Sequence, residues 1–304
     1  MNTTTRRWAA FLAAGLFALG AYAQDEDKFA KVQIETIKVA DGVYMLKGQG
    51  GNIGLSTGED GAFLVDDQFA PLSDKIKAAI AAVSDKPVRF LVNTHWHGDH
   101  TGGNENFEAD GVIIVAQDNV YKRLSTESFS KMFNMTRPAR PKEALPVITF
   151  TDAVTFHVNG QDIRVQHLEH AHTDGDSVLF FTHSNVLHTG DIFFNGQYPF
   201  IDLESGGSVN GVIEAVRTLL PMIDANTKII PGHGELSDKA GLTAYLEMLT
   251  TVRDRVQALI AKGATRDAVI AAKPSAEYDA ALGNGFIKPD VFAGVFYDSL
   301  TASH

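Results

Sequence analysis

Residues 93–103 read NTHWHGDHTGG and place His95, His97, Asp99 and His100 within six positions, directly after the apolar run PVRFLV. A packed core has no use for that density of imidazole and carboxylate, because a buried polar group costs free energy unless it is paired. A solvated loop could carry the cluster, but its placement argues for a built site. PVRFLVNT reads as a continuous apolar strand buried on both faces. The histidines then fall in the loop beyond the strand's C-terminal end, where sheets flanked by helices hold their ligands. The fold must therefore bring one strand end together with other loops that supply the remaining groups.

The rest of the chain supplies such loops. VQIETIKV, GVYMLKG, NIGLSTG and GAFLVDD are short β patterns separated by glycine turns. SDKIKAAIAAVSDK is a helix, with Ser73 as its cap and Ile76, Ile80 and Val83 at helical spacing. AVTFHVNG and QDIRVQHL form a hairpin about Asn159-Gly160, and SVLFFTHSNVLHTGD holds two further strands. GSVNGVIEAVRTLLPMI is a helix carrying Val212, Val216, Leu219 and Leu220; TKIIPGHG is a short buried strand, and LTAYLEMLTTVRDRVQALIAKG a long amphipathic helix. Strand groups alternating with helices predict an α/β chain: two mixed β-sheets packed together with helices outside. No linker divides the two similar halves, so residues 24–304 are expected to form a single domain, with a helical C-terminal extension from about 263.

Five loop motifs line up: LVDD (64–67), HWHGDH (95–100), HTDGD (172–176), GDIFF (190–194) and PGHG (231–234). Four of them follow directly on an apolar β run. In order and residue type they resemble the metallo-β-lactamase-fold superfamily of dizinc hydrolases, over about residues 32–262. The resemblance implies the αββα sandwich and two zinc sites, with iron or manganese as alternative metals. His95, His97 and His172 would hold the first metal. Asp99, His100 and His233 would hold the second, and Asp191 would bridge them. It further implies hydrolysis by a metal-bridged hydroxide, with Asp99 orienting the nucleophile, and an orienting role for Asp66. For the third ligand His167 and His170 compete; His172 is preferred because it directly precedes the Thr-x-Gly-Asp turn. Asp67 reads as solvated, and His157, His183, His188 and His304 as structural or exposed.

Departures from the family narrow the reading. Class B β-lactamases of one large group carry cysteine where Asp191 stands, and three positions later a lysine where this chain has Phe194. The aspartate resembles the bridge of glyoxalase II and related thioesterases. His97 argues against the flavo-diiron oxidoreductases, which place glutamate there. The expected activity is hydrolysis of a carbonyl in a small-molecule substrate: ester, thioester, lactone or β-lactam. An iron-dependent oxygenase or oxidoreductase of the same fold, and a non-catalytic metal-binding module, are the alternatives.

Composition bounds the partners. RRWAAFLAAGLFALGAYA joins a basic start, a short apolar run and an Ala-x-Ala site, which predicts a secretory signal peptide over residues 1–23. The run is too short to span a membrane comfortably, so no stable insertion is expected after its removal. The protein is then secreted, and periplasmic in a host with two membranes. Cleavage moves the net charge from −11 to −13, since it removes two arginines and no acid. That charge disfavours nucleic acid and anionic membrane. The chain has no cysteine, hence no disulfide and no thiolate ligand.

Two segments are candidate rims. Residues 125–146 hold Phe129, Met132, Phe133 and Met135, either as a loop over the site or as a helix packed on the body. Residues 193–208 place Phe194, Asn195 and Tyr198 near the ligands as substrate contacts. Phe194 in place of lysine, together with the acidic net charge, predicts a preference for neutral substrates over anionic lactams.

Overall fold

The computed structural model describes residues 28–130 and 134–302. The signal segment, Met132, Phe133 and His304 lie outside them. Strands β1 (Glu35–Ala40), β2 (Val43–Lys47), β3 (Ile53–Ser56), β4 (Ala62–Val65), β5 (Val88–Val92), β6 (Ile113–Gln117) and β9 (Ile148–Phe150) form one seven-stranded sheet in that order. It is antiparallel from β1 to β4 and parallel from β4 to β9. Strands β10 (Ala153–Val158), β11 (Gln161–His167), β12 (Ser177–Phe181), β13 (Val186–His188), β14 (Lys228–Ile230) and β15 (Ser237–Asp238) form the second sheet, with β13 and β14 parallel. At the β10–β11 turn Asn159 and Gly160 both take positive φ, 54° and 67°, as a type I′ hairpin requires.

The period-two alternation of a strand decides which core each residue joins. In β4, Phe63 and Val65 face the second sheet, where they meet Ile163, Val165, Leu179 and Phe181. Ala62 and Leu64 point the other way, toward Ile76 and Ile80 of α1 (Ser73–Ala81) and Phe107 of α3 (Asn104–Glu108). Burial on both faces is why β4 reads as an uninterrupted apolar run. The second sheet is covered on its outer face by α5 (Val209–Leu219) and α6 (Lys239–Ile260). Ser208 caps α5 by accepting from Gly211 N, and Val209, Val212, Ile213, Val216 and Leu219 bury its inner face. At about 1.5–3 kcal/mol per buried aliphatic side chain, that face outweighs the helix's intrinsic propensity. Beyond 263, α7 (Arg266–Ala271) sends Val269 and α9 (Pro289–Thr301) sends Phe292 and Phe296 into this same core, and Tyr278 and Leu282 of α8 (Ala276–Leu282) pack against it. The result is the expected helix–sheet–sheet–helix arrangement.

Three local expectations change. A 3-10 turn at Ala70–Leu72 runs straight into α1, so Ser73 lies inside the helix, where its Oγ accepts from Asn106 Nδ2 instead of capping. In β5 only Leu91 and Val92 are buried; Arg89 is exposed, lies over the Phe90 ring and donates to Asp60 O at the sheet rim. The described residues of 125–146 hold no α-helix, only a 3-10 turn at Lys142–Ala144. After α4 (Asp118–Leu124) they pair as a hairpin, β7 (Ser128–Ser130) with β8 (Met135–Arg137). Pro138 and Pro141 then withdraw N–H groups that a helix would need.

Candidate metal centre

Five chain segments meet at one edge of the sandwich, and each is positioned by the element before it. The loop after β5 supplies His95 and His97, and a single helical turn, α2 (Gly98–Thr101), then presents Asp99 and His100. The turn between β11 and β12 supplies His172, the loop after β13 Asp191, and the loop after β14 His233.

The donor atoms fall into two groups, His95/His97/His172/Asp191 and Asp99/His100/His233, each within 4.8 Å. In the first, His97 Nδ1 lies 3.2 Å from His95 Nε2 and 2.9 Å from His172 Nε2. Asp191 Oδ2 is 3.7 Å from His95 Nε2 and 3.5 Å from His172 Nε2. Its other oxygen, Oδ1, is 3.1 Å from His100 Nε2 and 3.4 Å from His233 Nε2. Asp99 Oδ2 completes the second group, 3.4 Å from His233 Nε2. One carboxylate thus faces both groups, one oxygen to each.

Four of the five ring nitrogens pointing away from the centre are held by the protein. His97 Nε2 donates to Asp202 Oδ2 at 2.9 Å and His172 Nδ1 to Phe200 O at 2.8 Å. Asp66 is buried at φ 63°, a left-handed conformation that costs a non-glycine residue about 1 kcal/mol or more. From there Oδ1 accepts from Thr94 N, while Oδ2 takes Thr94 Oγ1 at 2.8 Å and His100 Nδ1 at 2.7 Å. Thr94 Oγ1 is in turn 3.0 Å from His95 Nδ1. A single buried carboxylate therefore orients one imidazole in each group.

Burial lowers the pKa of His95 well below the usual range, and those of His97 and His172 by less. All three are neutral, the form that binds metal. Burial also opposes charge at His100 and His233, but Asp191 and its neighbouring carboxylates prevail and raise both, His233 to about 9. The histidines in turn outweigh burial at Asp191, held well below the usual carboxylate range, and at Asp99, held at about 2. The set fits a pair of divalent cations on two counts. Three neutral imidazoles and two ionised carboxylates converge with two imidazoles that would bind on losing a proton, a donor set that suits borderline cations such as zinc. Asp191 Oδ1 is buried with no hydrogen-bond partner among the described residues, a group that a cation would satisfy.

The structure gathers all seven predicted ligand residues. The competing His170 and His167 spend Nδ1 on Gly206 O and Asp176 O, and stand outside both groups. Buried His188 pairs with Asn52 O, while His157 and His183 sit on exposed Asp162. Phe194 lies against the second group, its ring stacked on His233 at 4.9 Å and 14°. It is buried, so it forms a wall there and not an open clamp position.

Tyr198 is not a substrate contact. It turns into the C-terminal helices, stacking on Phe292 and donating to Asp279 Oδ1 at 2.6 Å, with Ser275 O 3.2 Å away. Asn195 commits one Nδ2 hydrogen to Glu235 O. Asp67 is buried, not solvated, and accepts from Gly103 N.

Several residues went unnoticed in the sequence. Asp202 sits 105 positions from His97, inside a stretch that reads as an ordinary Asx turn. Asp176, within the quoted HTDGD, receives His172 N, Thr173 N and Thr173 Oγ1, and burial raises it to about 7. Gly51 and Gly232 are fixed by closeness: a Cβ would lie 2.0 Å from His100 Cε1 at the first and 2.1 Å from Asp191 Oδ1 at the second.

Comparison with known proteins agrees with this geometry. The family profile described as the metallo-beta-lactamase superfamily matches residues 46–233. The chain is 26% identical over 162 residues to lactamase-like protein aptB of Emericella nidulans, covering 53% of this chain and 43% of that one. It is 24% identical over 199 residues to hydroxyacylglutathione hydrolase of Nitrosococcus oceani, covering 65% and 66%. The structure superposes on a metallo-beta-lactamase from Pontibacter korlensis with a TM-score of 0.60 and 21% identity, over 72% of this chain and 99% of the other. Its matches span about half the length of most of these curated relatives.

Proposed function

Because the chain belongs to the metallo-beta-lactamase superfamily, we propose that it is a two-metal hydrolase acting on a carbonyl of a small molecule: an ester, thioester, lactone or β-lactam. The observation that carries this reading is Asp191, buried between the two His/Asp groups with one oxygen toward each. His95, His97 and His172 would hold one ion, and Asp99, His100 and His233 the other, with zinc best suited to the donors. Divalent ions there supply Lewis acidity and lower the pKa of water toward neutrality. The chain's own groups do the rest. Asp99 is partly open to solvent and stays ionised to about pH 2. It therefore accepts a hydrogen bond from water and orients it, and does not donate a proton. Phe200, stacked 5.7 Å from His97, and Phe194 shield the imidazoles from bulk water on two sides.

The segment 1–23 supports export, to the periplasm in a two-membrane host. No helix among the described residues is long and apolar enough to cross a membrane.

A panel of lactams, lactones, thioesters and phosphodiesters on zinc-loaded protein tests the reading. Turnover of a carbonyl substrate should disappear with chelator and return with zinc. Oxygen consumption by iron-loaded protein, with no hydrolysis in the panel, would replace this reading with the oxygenase.

A further inference from the structure

The turn between β2 and β3 backs the second ligand group without supplying a ligand. Gly51 N donates to Asp99 O at 3.1 Å, and the same glycine leaves the room that His100 occupies. The next residue, Asn52, is 2% exposed. A buried side-chain amide is costly unless its donors are paired. Asn52 Nδ2 carries two hydrogens, and it donates to Pro231 O and to Gly234 O, each at 2.9 Å. Its backbone N–H donates to Gly232 O at 2.7 Å. One residue thus holds three of the four positions of PGHG, and the fourth is His233. The opposite side of that loop is held by backbone bonds, Gly232 N to Phe193 O and Asn195 N to His233 O. Strand β14 ends at Ile230, so His233 depends on these contacts for its place.

Asn52 also reaches the bridging carboxylate. Its carbonyl accepts from His188 Nε2 at 3.1 Å, and His188 Nδ1 accepts from Gly190 N at 3.2 Å, one residue before Asp191. His188 is fully buried, and the two bonds fix its tautomer. The loops that carry His233 and Asp191 therefore meet at Asn52.

We infer that Asn52 is a positioning residue for the second metal. It sets the backbone from which His233, and through His188 also Asp191, reach the ion. The inference deepens the two-metal reading and rests on it for the ion alone. The Phe194 stack steadies the His233 ring, whereas Asn52 fixes the loop on which the ring stands. His95, His97 and His172 stand on other loops, so the first metal should change little.

Zinc is titrated into the apoprotein against a metal-responsive dye, with His233→Ala as the reference for a damaged second site. Asn52→Asp keeps the shape and replaces both donors; Asn52→Ala removes them. Each should weaken the second zinc about 10–100-fold, the usual worth of a residue that orients a ligand. A merely structural role would lower Tm and weaken both zincs alike. That result, or an undiminished second affinity, would overturn the inference. The clamp consists of protein groups alone, so it should persist without metal. Should neither variant fold, the wild type decides: the Asn52 side-chain amide of the apoprotein should exchange its hydrogens slowly by NMR. Exchange as fast as that of exposed Asn226 would overturn the inference. A wild type that binds no second zinc removes the two-metal reading and this inference with it; two zincs whose affinities the variants do not separate remove the inference alone.

Discussion

The two halves of the metal centre share one carboxylate yet are built differently. In the first, every imidazole is buried and its remaining nitrogen is fixed, on Thr94 Oγ1, Asp202 Oδ2 and Phe200 O. In the second, His100 is equally fixed by Asp66, but the side chains of Asp99 and His233 are 27% and 20% exposed. His233 Nδ1 has no hydrogen bond among the described residues, and the ring is steadied by its stack on Phe194. The rings of the first half are neutral, whereas His100 and His233 must each give up a proton before they can bind metal. The first half is therefore a preformed socket for a cation. The second is its open, adjustable side, where water and a leaving group enter.

The largest effect is expected where the halves join. Asp191→Asn keeps the shape but removes the charge facing both groups. Partners that merely orient a ligand are worth about 10–100-fold, so the bridge itself should cost at least about a hundredfold in kcat/KM and reduce the metal content to one per chain. Two retained metals with an undiminished rate would show that the halves are not joined through this residue.

Graded chelation comes next. The second metal should leave first, and His233→Ala should imitate that state, while His95→Ala should lose the first metal and lower Tm further. A metal present at a hundred times its Kd adds about 2.7 kcal/mol to the folded state. Simultaneous loss of both metals, or equal Tm with and without chelator, would erase the distinction between socket and open side.

Asp202→Asn probes the socket alone. It should weaken the first metal about 10–100-fold and leave the second unchanged. A purely structural role for Asp202 would instead lower Tm without separating the two affinities, so titration of both sites with a metal-responsive dye distinguishes the outcomes.

These contrasts were only partly legible in the chain. HWHGDH is local, and helix–strand alternation and the Asn-Gly turn are short-range signals, so His95, His97, Asp99, His100 and the layered fold could be read directly, whereas His172, Asp191 and His233 came only with the resemblance to the family. Asp202 could not be read, because its partner is set by how the 193–208 loop packs against His97 and His172, not by spacing. Tyr198 was misread for the same reason: nearness in sequence to Asp191 says nothing about a ring that turns into α8 and α9.

The smallest effect should come from Phe194→Leu, which tests what steadies the open side. The Phe194 ring lies nearly parallel to His233, and a backbone bridge joins the two residues. Leucine keeps the bridge and most of the volume, so the packing loss should stay below about 1.5 kcal/mol. What disappears is the ring stack, worth about 0.5–1.5 kcal/mol. If the stack is what restrains His233, the second metal should bind about two- to tenfold more weakly, and the first should not change, since its rings are held by hydrogen bonds that Phe194 does not touch. With zinc in excess the rate should recover, because the ligand set is intact and only its ordering has been loosened. A fall in first-site affinity would mean that Phe194 acts through its more distant contact with His172, 6.1 Å between ring centroids, and the two halves would then be coupled by packing as well as by Asp191.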